Sequence, residues 1–138
     1  MTENENKISY TIEQRVRYAE TDVMGVVYYG DYFTFFEVGR VELLRHRGHS
    51  YRELEDEGFL LPVVEASCRY FKPLRFDDMI RITATVGEIG RTKLEFHYEI
   101  KNLDDELLTQ GITRHACVNW DGKPVRIGGS LAKALDIE

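Results

Sequence analysis

The apolar positions of this chain follow two periods. Near the N-terminus Ile8, Tyr10 and Ile12 alternate with Ser9, Thr11 and Glu13, and Val16 and Tyr18 follow. That is the period-two pattern of a strand. From Tyr29 to His46 the spacing becomes helical: Tyr29, Tyr32, Phe33, Phe36, Arg40, Leu43 and Leu44 share one side. Phe35, Val38 and Val41 widen the apolar arc, so the helix is expected to be covered on most sides. Arg45, His46 and Arg47 suit the C-terminal end of its dipole, and Gly48 suits the stop. Ser50 to Gly58 predicts a short second helix, with Ser50 as N-cap, Glu53 completing a capping box and Gly58 closing it.

Beyond this point the period returns to two. Leu61 to Phe71 is a mixed apolar stretch that ends at Lys72-Pro73. Ile80, Ile82, Ala84 and Val86 alternate with Arg81, Thr83 and Thr85, and Gly87 to Gly90 reads as a hairpin connection. Leu94, Phe96, Tyr98 and Ile100 alternate with Glu95, His97, Glu99 and Lys101, the pattern of a half-buried strand. Asn102 to Glu106 turns the chain, Leu107 to Trp120 reads as a long last strand, and Asp121-Gly122 is a strong turn. Ser130 to Leu135 suits a short terminal helix. Strands joined by short turns pair antiparallel, and a lone long helix has to cover the apolar face they share. The expectation is an α+β fold, a curved antiparallel five-stranded sheet wrapped around one long helix, as one domain over residues 1–138.

Composition narrows the function. The formal net charge of −6 argues against broad nucleic-acid or anionic-membrane binding, both of which call for a basic surface. Charged residues make up 30% of the chain and hydrophobic residues 43%, an ordinary soluble profile. The N-terminal MTENENKISY lacks the apolar core of a signal peptide, and no apolar run approaches the ~20 residues of a membrane helix. The expected location is the cytoplasm, where Cys68 and Cys117, both in apolar strand-like stretches, read as buried thiols. His46 and His49 are separated by the expected helix stop, and there is no H-E-x-x-H and no cysteine pair, so no metal is expected. No phosphate-cradling glycine loop and no G-x-S-x-G elbow occurs either.

The candidate chemistry gathers around "AETDVMGVVYYGDYF". Asp22 stands ahead of Gly25, and a helix start follows at Tyr29. On residue type alone, an aspartate in this place is a turn or capping residue more often than a reactive one. A helix start, however, offers free backbone N–H donors and the positive end of a dipole.

The wider stretch "RVRYAETDVMGVVYYGDYFTFFEVGRVELLR" resembles the 4-hydroxybenzoyl-CoA thioesterase-like branch of the hotdog-fold superfamily, and looks similar to the small bacterial acyl-CoA thioesterases associated with the Tol-Pal system. That family's pattern, T-D-x-x-G-h-V-[FY]-[HY]-x-x-Y with h apolar, stands here as Thr21-Asp22-Val23-Met24-Gly25-Val26-Val27-Tyr28-Tyr29-Gly30-Asp31-Tyr32. "YFKPLRFDDMI" and "TRHACVNWDGKPVRI" resemble its second signature and its last strand and turn. The resemblance implies a hotdog fold and a homodimer pairing two sheets edge to edge, often assembled into a homotetramer. It also implies hydrolysis of acyl-CoA thioesters with no metal or other cofactor.

Carried over residue by residue, the resemblance makes Asp22 the carboxylate that attacks the thioester carbonyl or activates a water. It makes the Tyr29 N–H the donor to the developing oxyanion. Gly25 and Gly30 would let the backbone approach the substrate and turn sharply, a freedom that simple loop geometry also uses. Tol-Pal-type enzymes usually carry histidine where Tyr29 stands, whereas the hydroxybenzoyl enzyme carries tyrosine; a backbone donor survives that exchange. Glu37, inside the apolar helix, is a secondary candidate and reads rather as a structural partner of Arg40 or His115. Lys72, Arg75, Arg91 and Thr92 are the candidates for the phosphates of CoA, with Arg91-Thr92 pairing a charge with a hydroxyl. Two other readings stay open: a hotdog hydratase or dehydratase, which would pair a histidine with an acid, and a non-catalytic acyl-thioester-binding or interaction protein on the same fold.

Overall fold

In the computed structural model, which describes residues 8–137, five strands form one antiparallel sheet: β1 (Ser9–Arg15), β2 (Val63–Tyr70), β3 (Met79–Ile89), β4 (Lys93–Lys101) and β5 (Leu107–Ala116). Their order is β1-β3-β4-β5-β2. The long helix α1 (Tyr32–His46) lies on the sheet, and the shorter α2 (Tyr51–Asp56) and α3 (Gly129–Ala134) close one end. Ile80, Ile82, Ala84 and Val86 of β3 and Leu94, Phe96, Tyr98 and Ile100 of β4 all point inward. They meet Phe35, Phe36, Leu43 and Leu44 of α1, each fully buried. Side chains of this size stabilise by about 1.5–3 kcal/mol apiece when taken out of water.

Two glycines let α1 come down on the sheet. A Cβ on Gly39 would stand 3.0 Å from Ile82 Cγ2. A Cβ on Gly111 of β5 would stand 2.3 Å from the Phe36 ring. That ring in turn stacks on Tyr98, with centroids 4.4 Å apart and planes 8° from parallel. The helix leans over β1, β3 and β4, so β2 at the sheet edge stays exposed along nearly its whole length.

Several boundaries differ from the sequence reading, each for a local reason. The first strand stops at Arg15, and a 3-10 turn at Tyr18–Glu20 follows, tied by Glu20 to Arg17. The start of the long helix is likewise a 3-10 turn, Tyr29–Asp31. Ser50 does cap α2, accepting from the Glu53 N–H at 3.2 Å, but the Glu53 carboxylate goes to His49 at 2.8 Å and leaves the capping box open. β3 runs through Gly87 to Ile89, so the hairpin turns later, at Gly90–Thr92. The last strand ends at Ala116, because the Cys117 N–H turns to Thr92 O at 2.8 Å. Cys117 is buried as expected, while Cys68 on the uncovered β2 is only half-buried.

A chain of polar groups crosses the core beneath α1. His115 Nδ1 donates to Leu61 O at 2.9 Å, which leaves Nε2 to accept from the Thr113 hydroxyl at 2.8 Å. The Thr113 oxygen then accepts from Tyr98 OH at 2.6 Å, and Tyr98 accepts from Arg40 Nη1 at 3.4 Å. The neutral form of His115 completes this order. Burial holds its pKa down at about 4; the Leu61 hydrogen bond works against that, and the charge of Arg40 adds to it.

Two stability outcomes follow from this packing. Gly111→Ala drives a methyl into the Phe36 ring and should cost about 1–3 kcal/mol in urea unfolding; an unchanged midpoint would show that Phe36 has room to yield. The second concerns acid. Above pH 6.5 His115 is neutral in both states, and between 6.5 and about 4 only the unfolded chain takes up its proton. Its contribution is therefore lost as pH falls through that window, by at most about 1.4 kcal/mol per pH unit. Unfolding of His115→Gln between pH 7.5 and 4.5 should show a shallower acid-side loss than the parent protein.

Candidate active site

Residues Glu20 to Tyr28 fold into a small antiparallel loop. The Tyr28 N–H donates to Glu20 O at 3.1 Å, Thr21 and Val27 form a bridge pair, and the Asp22 N–H donates to Val26 O at 2.9 Å. Gly25 closes the turn onto Asp22 O at 3.0 Å with φ of +79°, a left-handed conformation that glycine takes at no steric cost. The loop is pinned at both ends. Buried Glu20 accepts from the Arg17 N–H at 2.7 Å and holds the Arg17 guanidinium as well. On the other leg Val27 donates to Leu74 O at 2.8 Å, and Gly25 O accepts from the Phe76 N–H at 3.1 Å.

Asp22 sits near the tip, exposed. Its Oδ1 accepts from the Met24 N–H at 2.8 Å, so the side chain does serve as a turn residue. The second oxygen, Oδ2, has no hydrogen-bond partner among the described residues, and the carboxylate stays open to a ligand. Tyr29 follows the returning leg and opens the 3-10 turn that runs into α1. No acceptor among the described residues takes its backbone N–H, as expected for the first turn of a helix. Asp22 and Tyr29 are therefore held on the two legs of one pinned loop.

Tyr70, the last residue of β2, donates its hydroxyl to Tyr29 O at 3.0 Å. Burial, with Cys68 beside it, pushes the Tyr70 pKa up to about 12, which keeps it a donor. Its ring meets Tyr32 edge-on at 4.7 Å, and Tyr32 OH accepts from the Leu74 N–H at 3.3 Å. These two tyrosines clamp the helix start between the loop and the edge strand. Sequence reasoning did not single out Tyr70; its only trace there was its place at the head of "YFKPLRFDDMI".

The other candidates scatter. Arg75 comes close, since it bridges Val26 beside Gly25, and its side chain is exposed. Lys72 is engaged with Glu106. Arg91 and Thr92 lie past the far end of β3 from the loop, roughly 30 Å along the strand within one chain. Glu37 is exposed and pairs with neither Arg40 nor His115, because Arg40 turns to Tyr51 and Tyr98 and His115 to Thr113 and Leu61. Val23, Met24, Tyr28 and Tyr29 leave an exposed apolar rim around Asp22. Among the described residues no group of three or more His, Cys, Asp or Glu is placed to hold a metal ion, and no helix is long and apolar enough to cross a membrane.

This architecture has counterparts of known structure. A protein from Aquifex aeolicus superposes with a TM-score of 0.86 at 32% identity, over 91% of this chain and 98% of that one. A DHNA-CoA thioesterase from Staphylococcus aureus superposes with a TM-score of 0.81 at 36% identity, over 86% of this chain and 80% of that one. In sequence, the acyl-CoA thioester hydrolase YbgC of Escherichia coli is 35% identical over 105 residues, 76% of this chain and 78% of its own. Residues 24–109, which carry Gly25, Tyr29 and the long helix and begin just after Asp22, match the thioesterase superfamily. By fold, by sequence and by the loop that leads into its central helix, this chain belongs to the thioesterase superfamily.

Proposed function

We propose that the protein hydrolyses acyl-CoA thioesters to a free acid and CoA, with Asp22 and the Tyr29 N–H as its working groups. The observation that carries this reading is their pairing: a carboxylate oxygen without a partner and a helix-start N–H without an acceptor, on two legs of one pinned loop. The Tyr29 N–H receives the carbonyl oxygen, and the helix dipole favours the negative charge that develops there. Asp22 then either adds to the carbonyl carbon, giving a mixed anhydride that water opens, or takes the proton of a water that adds directly. In both routes the CoA thiolate leaves as the carbonyl re-forms. Tyr70, bonded to the Tyr29 carbonyl, keeps the donor in place.

The histidines support hydrolysis over water addition or removal at an enoyl group. His46 stacks on Tyr10, His49 pairs with Glu53, His97 pairs with Glu95, and His115 is buried in the core network. None of them stands by Asp22 to form a histidine–acid pair.

A second copy completes the assembly in this reading. Among the described residues no strand lies beside the outer edge of β2, and β2 is exposed along nearly its whole length. Antiparallel pairing of two β2 edges makes a homodimer with one continuous sheet, and two such dimers would make the homotetramer. A two-fold axis there sets opposite ends of the two sheets side by side. The Arg91–Thr92 turn of one copy then lies on the same side as the Asp22 loop of the other, where the phosphates of an extended CoA would reach it.

The test is release of free thiol from an acyl-CoA panel by the parent protein and by Asp22→Asn. Loss of an essential carboxylate should lower turnover at least ~10²-fold. Equal turnover in the two proteins would remove Asp22 from the chemistry.

A further inference from the structure

We infer that Arg40 receives a carboxylate at the far end of the acyl group, so that acyl-CoA thioesters ending in a second carboxylate are preferred substrates. This rests on the hydrolysis reading above and names the substrate class of that same site.

Arg40 is 8% exposed, yet no carboxylate pairs with it among the described residues. Its Nε donates to Tyr51 OH at 3.1 Å and its Nη1 to Tyr98 OH at 3.4 Å. Nη2 has no acceptor among the described residues. Both acceptors are neutral phenols, their pKa values raised above the ordinary tyrosine value chiefly by burial. A guanidinium does not shed its proton in a protein, so the site keeps a buried positive charge without a counter-ion. Such a charge is costly unless an anion comes to it.

A route to it is open. A cavity of about 340 Å³ between α1 and β2 is lined by Phe33, Glu37, Arg40, Val63, Ala66 and Thr113. Tyr29, Phe33, Glu37 and Arg40 follow one another down one face of the helix, at spacings of four, four and three. β2 runs alongside, from Tyr70 bonded to Tyr29 at one end to Val63 lining the cavity at the other. Arg40 lies roughly 16 Å along the axis from Tyr29, and its side chain leans back towards the helix start. With the thioester carbonyl at the Tyr29 N–H, a medium-length acyl chain running down this groove brings its end to the guanidinium. Glu37, on the rim of the cavity, opposes an anion. It is exposed and screened by solvent, whereas Arg40 acts from a low-dielectric interior.

The decisive comparison is suberoyl-CoA against octanoyl-CoA, equal in length and different only in the terminal carboxylate. The parent protein should show a kcat/KM at least 10-fold higher for suberoyl-CoA, and Arg40→Gln should collapse that ratio towards one, with Arg40→Lys keeping part of it. Calorimetry with free suberate and octanoate gives a readout apart from hydrolysis: suberate should bind the parent protein and the Asp22→Asn variant, and octanoate more weakly. Equal kcat/KM values for the two thioesters in the parent protein overturn the inference. So does an Arg40→Gln variant that folds and keeps the ratio, whatever its oligomeric state in sedimentation. If Arg40→Gln does not fold, the parent protein's substrate ratio and suberate binding decide. Suberate binding without turnover of any acyl-CoA would instead defeat the hydrolysis reading and leave the carboxylate site standing.

Discussion

The descent of α1 onto the sheet is the contact on which the rest of this molecule depends. Phe36 lies flat against Tyr98 and fills the space that Gly111 leaves empty, and Gly39 brings the helix backbone down to Ile82. Close packing of this kind tolerates little change in volume, so it fixes the position of α1 over β1, β3 and β4. That position sets two others. The helix start at Tyr29 is held over the end of the sheet, where the Asp22 loop hangs from Leu74 and Phe76. The edge strand β2 is left without a cover, and the groove along α1 opens beside it.

The polar interior is organised by the same contact. Tyr98 stacks on Phe36 with its ring and extends its hydroxyl to Thr113 and Arg40, so one side chain serves both the apolar packing and the buried hydrogen-bond chain. Each member of that chain donates in one direction, from Arg40 through Tyr98 and Thr113 to His115, while His115 gives its remaining proton to Leu61 O. Burial holds the His115 pKa down and so keeps the ring neutral, which leaves Nε2 an acceptor for the Thr113 hydroxyl. Arg40 keeps a charge at the other end of the chain, buried itself and lining the groove beside β2.

Much of the fold was legible in the chain. The alternation in β4, the helical spacing from Tyr29 to His46 and the turn at Asp121-Gly122 rest on local rules, and the structure keeps them. Where the reading departed, a distant partner decided. Cys117 ends the last strand by bonding Thr92, and Glu53 gives up its capping-box bond for His49. At the site, the motif from Asp22 to Tyr29 was visible as a motif. Its geometry was not, because a hydrogen bond from Tyr28 back to Glu20 and a hydroxyl from Tyr70 create it. Glu37 was expected to be buried with Arg40 or His115 as its partner, yet it is exposed and the arginine turns to two tyrosines on other elements.

Read alone, the chain supplied the order and kind of the elements, the carboxylate ahead of a helix start and a resemblance that implies a role for that carboxylate. The elements and the place of the carboxylate follow from periodicity and residue type, which act over a few neighbours along the chain; the resemblance rests instead on three matched motifs. The tertiary structure alone decided which groups find partners among the described residues: Asp22 Oδ2, the Tyr29 N–H and the outer edge of β2 have none, and Arg40 has two phenols and no carboxylate. Whether a polar group is satisfied depends on every atom brought within about 3 Å of it, and most of those atoms come from residues far away in sequence.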